Sequence, residues 1–140
     1  MSQTVLVIES DPTVLDQLCV YVREAEFRVQ CATNLMVAMG KLRSFRIPMV
    51  IVDWELPNRE APEIIRQIRE NHRLRRTHVL VLSSQTSPIE IEAAMKAGAD
   101  DYFTKPVGAT ELRNRLVWAG LRGQFEVQCA SLQPIPGLKI

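Results

Sequence analysis

Acidic side chains, a serine pair and one lysine recur where short apolar runs stop. Glu9, Ser10 and Asp11 follow TVLVI, Asp53 follows MVIV, Ser83 and Ser84 follow HVLVL, and Lys105 with Pro106 follows DYFT. If those runs are parallel strands of one sheet, all of these groups fall on one rim, because ligands in open α/β sheets bind outside the carboxyl ends of the strands. Carboxylates gathered at one point repel each other and call for a hard dication such as Mg2+, which takes oxygen ligands and keeps several waters. A carboxylate in that setting can attack phosphorus and carry an aspartyl phosphate, with a lysine and a hydroxyl neutralising the transferred group. Each residue alone has an ordinary structural role as a cap, a turn or a surface charge. Their joint placement at successive strand ends, in chain order, is what the ordinary reading explains poorly.

The elements that must position them are legible from spacing. TVLVIE from Thr4, MVIVD from Met49 and HVLVLSS from His78 are nearly continuous apolar runs, as strands covered on both faces require. FRVQCAT from Phe27 is a weaker strand, and DYFTKP from Asp101 a fifth that Pro106 ends. Between them lie helical patterns: Leu15, Leu18, Cys19 and Val22; Leu35, Ala38, Leu42 and Phe45; Ile64, Ile65 and Ile68; Ile89, Ala93 and Ala97; and a last helix from Ala109 to about Arg122. Asp11 before Pro12 reads as the cap of the first helix, Ser87, Pro88 and Glu90 as a capping box for the fourth, and Gly98 as its stop. The pattern is (βα)5, with right-handed crossovers placing helices on both faces of a twisted parallel sheet. The final stretch carries two prolines and a glycine in its last seven residues, so residues 1–124 are expected to form the domain and 125–140 a tail or linker.

Composition narrows the function classes. Seventeen Lys and Arg against sixteen Asp and Glu leave a formal charge of +1, so no global field draws the chain to nucleic acid or anionic lipid. The arginines Arg66, Arg69, Arg73, Arg75 and Arg76 gather at and beyond the third helix's C-terminus, where cations suit the macrodipole, and read as a solvated face. Cys19, Cys31 and Cys129 are widely spaced without a CxxC pair and read as reduced, small apolar side chains. His72 and His78 lack partners at zinc-ligand spacing, and Trp54 and Trp118 read as packing residues, Trp54 bordering the pocket. No signal peptide and no apolar run of the ~20 residues that span a bilayer stand in the sequence, so a cytoplasmic protein without membrane contact is expected.

Taken together, VLVIESDP, MVIVDWELP, VLVLSS and AGADDYFTKP resemble the motifs of the bacterial two-component response regulator receiver family, over about residues 4 to 122. The resemblance implies a flavodoxin-like, doubly wound three-layer sandwich with a five-stranded parallel sheet in the order 2-1-3-4-5. It further implies that Asp53 accepts a phosphoryl group, that Lys105 and Ser83 stabilise it, and that Ser83 and Tyr102 form the switch. Mg2+ would be held by Glu9, Asp53 and the backbone carbonyl of Glu55, while Glu55 and Gln85 fall where the family tunes the lifetime of the phosphorylated state. A sensor histidine kinase or phosphotransfer protein would be the donor, and a downstream protein or output domain the reader, with no direct nucleic-acid binding by this chain and homodimerisation as an option.

Two departures from the family pattern stand out. The second acidic position is Ser10, so a carboxylate has become a hydroxyl and metal binding should weaken. Arg59, Glu60 and Ala61 replace the usual apolar, acidic and glycine residues in the loop after Asp53. A receiver that takes phosphate on Asp53 is therefore the leading expectation, and a degenerate receiver acting as a phosphorylation-independent interaction module is the alternative. A small flavin or nucleotide enzyme on the same fold lacks support, since no GxGxxG or GxxxxGK[ST] loop follows any strand.

Overall fold

The computed structural model describes the backbone of residues 3–131 and the side chains of residues 3–121. Strands β1 (Thr4–Ile8), β2 (Arg28–Ala32), β3 (Met49–Asp53), β4 (His78–Ser83) and β5 (Asp101–Thr104) alternate with helices α1 (Pro12–Glu24), α2 (Leu35–Ser44), α3 (Glu60–Glu70), α4 (Pro88–Ala97) and α5 (Ala109–Ser131). All strand pairs are parallel, in the order β2-β1-β3-β4-β5. The doubly wound three-layer sandwich is thus observed as expected.

Period-two alternation sends the two faces of each central strand to different helices. Leu6, Ile8, Val50, Val52, Val79 and Val81 pack under Ala38, Leu42, Ile64, Ile65, Ile68 and Ala94 of α2, α3 and α4. Val5, Val7, Met49, Ile51, Leu80 and Leu82 pack under Leu18, Cys19, Val22, Leu112, Leu116 and Ala119 of α1 and α5. The runs that lacked alternation in sequence are β1, β3 and β4, the strands buried on both sides. The edge strands β2 and β5 are only part-buried, which is why their sequences are weaker.

The punctuation holds with one change. Asp11 caps α1, its carboxylate accepting from Thr13 N–H (2.9 Å) and Val14 N–H (3.3 Å), and Gly98 ends α4 at φ 120°. Ser87 accepts from Glu90 N–H, but Glu90 does not close the reciprocal half of a capping box. Its carboxylate instead takes the Trp54 indole N–H at 3.0 Å, since a half-buried indole donor needs an acceptor. Helix α5 runs on to Ser131, past the expected end near Arg122 and the boundary at 124. The glycines at 120 and 123 each cost a helix only about 1 kcal/mol, and the first proline after Pro106 is Pro134. Residues 132–140, the rest of the expected tail, lie outside the described residues. Among the described residues no helix is long and apolar enough to cross a membrane.

The arginine cluster is more than a solvated face. Arg69 donates to the carbonyls of Gly98 (2.9 Å), Arg75 (2.8 Å) and Thr77 (2.6 Å) and pairs with Asp100 at 2.7 Å. Arg73 reaches the Leu42 carbonyl, and Arg66 pairs with Glu63 and Glu70. The exposed Arg66 set, and the exposed Arg75 and Arg76, behave as the sequence suggests. Arg69 is a fork that ties α3 to the end of α4 and to the segments entering β4 and β5. An Arg69→Met chain should lose about 2–3 kcal/mol of unfolding free energy in urea denaturation, because several carbonyls and Asp100 lose a charged donor at once.

Candidate functional site

Three parallel strands deliver charged side chains to one buried point at the carboxyl rim. Glu9 follows β1 and is 2% exposed; Asp53 ends β3 and is 4% exposed. Lys105 follows β5, and its backbone N–H is fixed by the Ser83 carbonyl at 2.8 Å. Its ammonium lies 2.9 Å from Asp53 Oδ1 and 3.0 Å from Glu9 Oε1. The side chains brought together stand 44 and 52 positions apart in sequence (9 to 53, 53 to 105).

The electrostatics follow from that crowding. Burial, and then the neighbouring Asp53 carboxylate, push Glu9 above the usual carboxylate range despite the Asp11 amide and Lys105. Burial alone would lower the Lys105 ammonium, but the bonds and charges of Asp53 and Glu9 outweigh it and hold that group above its ordinary value. Glu9 Oε2 accepts from Asp11 N–H at 3.1 Å. Glu9 Oε1 is fully buried and accepts no well-aligned hydrogen bond; the ammonium faces it by charge alone.

The remaining predicted residues ring this point. Asp53 Oδ1 accepts the Glu55 N–H at 2.9 Å, turning the chain sharply after β3. The Glu55 carboxylate crosses to the β4 loop, where it accepts from Ser84 N–H and Ser84 Oγ, both at 2.6 Å. Ser83 is fully buried, one register step beyond the Leu82 that pairs with Asp53, and its Oγ accepts from Gln85 N–H at 3.0 Å. Tyr102 donates its hydroxyl to the Gln85 carbonyl at 2.6 Å. Gln85 is therefore held at its amide by Ser83 and at its carbonyl by Tyr102. Ser10 is part-buried in the turn between β1 and α1, and Asp11 is committed to the helix cap.

The departing loop takes a defined shape. Asn58 (φ 62°) and Arg59 (φ 53°) are both left-handed, a conformation costing a non-glycine residue roughly 1 kcal/mol. Glu60 then turns away from the site, its carboxylate accepting Leu35 N–H at 3.0 Å and so serving the first turn of α2. Trp54, the residue after Asp53, packs against the α2–α4 core and reaches Glu90. Sequence reasoning placed Trp54 at the pocket but not its link to α4, and it missed Ser84 as the partner of Glu55. Trp118 is 49% exposed, its ring packed edge-on against His78 at 6.5 Å and with the Arg115 guanidinium 5.7 Å from its centre.

The donor set suits a hard dication. Two buried carboxylates, one with an oxygen lacking an aligned partner, match the one or two carboxylates by which Mg2+ is usually held. Among the described residues no group of three or more His, Cys, Asp and Glu side chains is placed to hold a metal.

A family model for the response regulator receiver domain matches residues 5–117. Solved structures agree. A response regulator from Thermotoga maritima is 30% identical with a TM-score of 0.76, covering 85% of this chain and 98% of its own. The receiver domain of a sensor histidine kinase from Pseudomonas aeruginosa, described with magnesium coordinated in its active-site cleft, is 25% identical with a TM-score of 0.77, covering 86% and 99%. A receiver domain protein from Methanospirillum hungatei shares the fold at 20% identity and a TM-score of 0.81, covering 90% and 99%.

Proposed function

Because the chain belongs to the response regulator receiver domain family, we propose that it is a phosphorylation-controlled switch whose acceptor is Asp53. The observation that carries this is the Lys105 ammonium ion-paired with both Asp53 and Glu9 at a buried strand rim. A sensor histidine kinase or a phosphotransfer protein supplies the group. An Asp53 carboxylate oxygen attacks phosphorus, the bond from phosphorus to the donor's nitrogen breaks, and the donor leaves with the electron pair. Lys105 neutralises the equatorial oxygens, Ser83 Oγ can turn to donate to one of them, and the buried walls limit access of water. Glu9, Asp53 and the Glu55 carbonyl are the groups that would hold Mg2+, whose charge, when bound, offsets that of the incoming phosphoryl group.

Once Ser83 turns toward the phosphoryl group, Gln85 N–H loses its acceptor and the loop held by Tyr102 must re-pair. Phosphorylation then favours one arrangement differentially, as any switch requires. Ile89 and Met95 stand exposed on α4 and Trp118 and Leu121 on α5, and such apolar side chains suit a downstream protein, an output domain or a second copy of the chain. In this reading Glu55, which accepts from Ser84, and Gln85 set the lifetime of the acyl phosphate.

Ser10 supports a second reading, a degenerate receiver that keeps the interaction surface without metal-dependent phosphorylation. With two carboxylates rather than three, the site has less charge with which to hold a dication. The readings separate by intact mass after incubation with an acyl phosphate and Mg2+. Gain of one phosphoryl group by the unmodified chain supports the switch, whereas gain seen only after Ser10→Asp supports the degenerate module. In either case Ser10→Asp should tighten Mg2+ about tenfold, since affinity at such sites follows ligand charge. Titration followed by Trp54 fluorescence reads that change, and equal affinities would remove Ser10 from the explanation.

A further inference from the structure

The sheet face covered by α1 and α5 contains a feature that the switch does not use. Cys19, on α1, and Cys31, on the edge strand β2, place their sulfurs 2.9 Å apart. Both are free thiols. That separation is about 0.9 Å more than the roughly 2.05 Å of a disulfide bond. The two are inequivalent: Cys19 is 4% exposed inside the core under α1, while Cys31 is part-buried on the strand at the open edge of the sheet.

We propose that Cys19 and Cys31 are a reversible modification site that closes to an intramolecular disulfide on exposure to a hydroperoxide, stapling α1 to β2. Cys31, the accessible thiol, reacts first. Its thiolate sulfur attacks the peroxide's terminal oxygen, the O–O bond breaks, and water or an alcohol leaves after protonation, so that Cys31 becomes a sulfenic acid. Cys19 then attacks the Cys31 sulfur, the S–O bond breaks, and the hydroxide leaves with the Cys19 proton as water. In sum two thiols are oxidised by two electrons, one peroxide is reduced, and a thiol-containing reductant reverses the reaction by exchange. Burial, with the Cys31 sulfur second, pushes the Cys19 thiol up to about 12. This fits its part as the resolving rather than the sensing sulfur, since the thiolate is the reactive form.

The disulfide would restrain the helix whose first turn is capped by Asp11, whose amide in turn holds Glu9. Oxidation therefore acts on the site's acidic side from outside it. The staple should also raise the thermal midpoint by roughly 5–10 °C, by closing a short loop in the unfolded chain.

The full chain carrying Cys129→Ser, treated with hydrogen peroxide and then with iodoacetamide in denaturant, tests the proposal by intact mass and non-reducing electrophoresis. The expected product is a monomer lighter by two hydrogens that takes no alkyl group until a dithiol reductant is added. Cys19→Ser in the same background should instead trap oxygen on Cys31. A Cys129→Ser chain that keeps two alkylatable thiols, gains oxygens without losing hydrogens, or cross-links only between molecules overturns the proposal. These readouts do not involve Asp53, so they stand apart from whether the phosphorylation reading holds.

Discussion

Asp53→Asn yields a folded chain that gains no phosphoryl mass from an acyl phosphate and Mg2+. The amide keeps the acceptor's shape and can still bond to the Lys105 ammonium and the Glu55 amide, yet it has no anionic oxygen with which to attack phosphorus. Glu9 is no substitute: it is buried, its carboxyl is raised toward the neutral form, and Asp11 N–H engages one of its oxygens. Removing one of two adjacent buried negative charges also relieves repulsion, so the thermal midpoint should hold or rise. Intact mass with a circular-dichroism melt checks both parts together. Full uptake by the Asp53→Asn chain would move the acceptor elsewhere.

Lys105→Met costs about 3 kcal/mol at pH 7, because it strands two carboxylates that are 2% and 4% exposed. The loss depends on pH in a direction fixed by Glu9. Its carboxyl is raised in the fold, so the folded chain retains a proton at pH values where the unfolded chain, titrating near 4.5, has lost it. Stability from this group is complete below that value and is lost as pH climbs through the raised folded one. Lys105 itself is raised above 10.5, so its own contribution is constant through the acid and neutral range. The deficit of the variant is therefore greatest at neutral pH and shrinks on acidification as Glu9 takes up its proton. Urea denaturation at several pH values reads this, and a deficit that does not change with pH contradicts the assigned ion pairs. Phosphoryl uptake by the same variant should slow about a hundredfold, the usual cost of losing one preorganised charge at the transition state.

The sheet was legible because its central strands have no solvent face: five consecutive buried residues in β3 leave a run of Met, Val, Ile, Val and Asp with no polar alternation. The acidic rim was legible for a related reason, since parallel strands deposit their last residues at one edge and Asp53 and Lys105 can be placed without knowing any contact. What the sequence hid are bonds from side chains to distant partners that leave no period. Arg69 reaches Gly98 across 29 positions, and Trp54 reaches Glu90 across 36. The approach of Cys19 to Cys31 depends on how far α1 slides over an edge strand, which neither segment's pattern specifies. The length of α5 was missed because the prolines and glycine of the last seven residues suggest a break across the whole final stretch, whereas the first of them stands at Pro134, beyond the helix.

The Arg69 fork lies at the end of the sheet opposite the acidic rim, and this has a mechanical corollary for α4. That helix is moored at its tail, where Arg69 grips the Gly98 carbonyl and Asp100, while its head is tethered to the end of β3 through the Trp54–Glu90 bond. Ten residues make a rod about 15 Å long. A sub-ångström shift beside Asp53 can thus pass along the indole to the tethered head of a rod that pivots at Gly98, turning a change of charge into a change of angle.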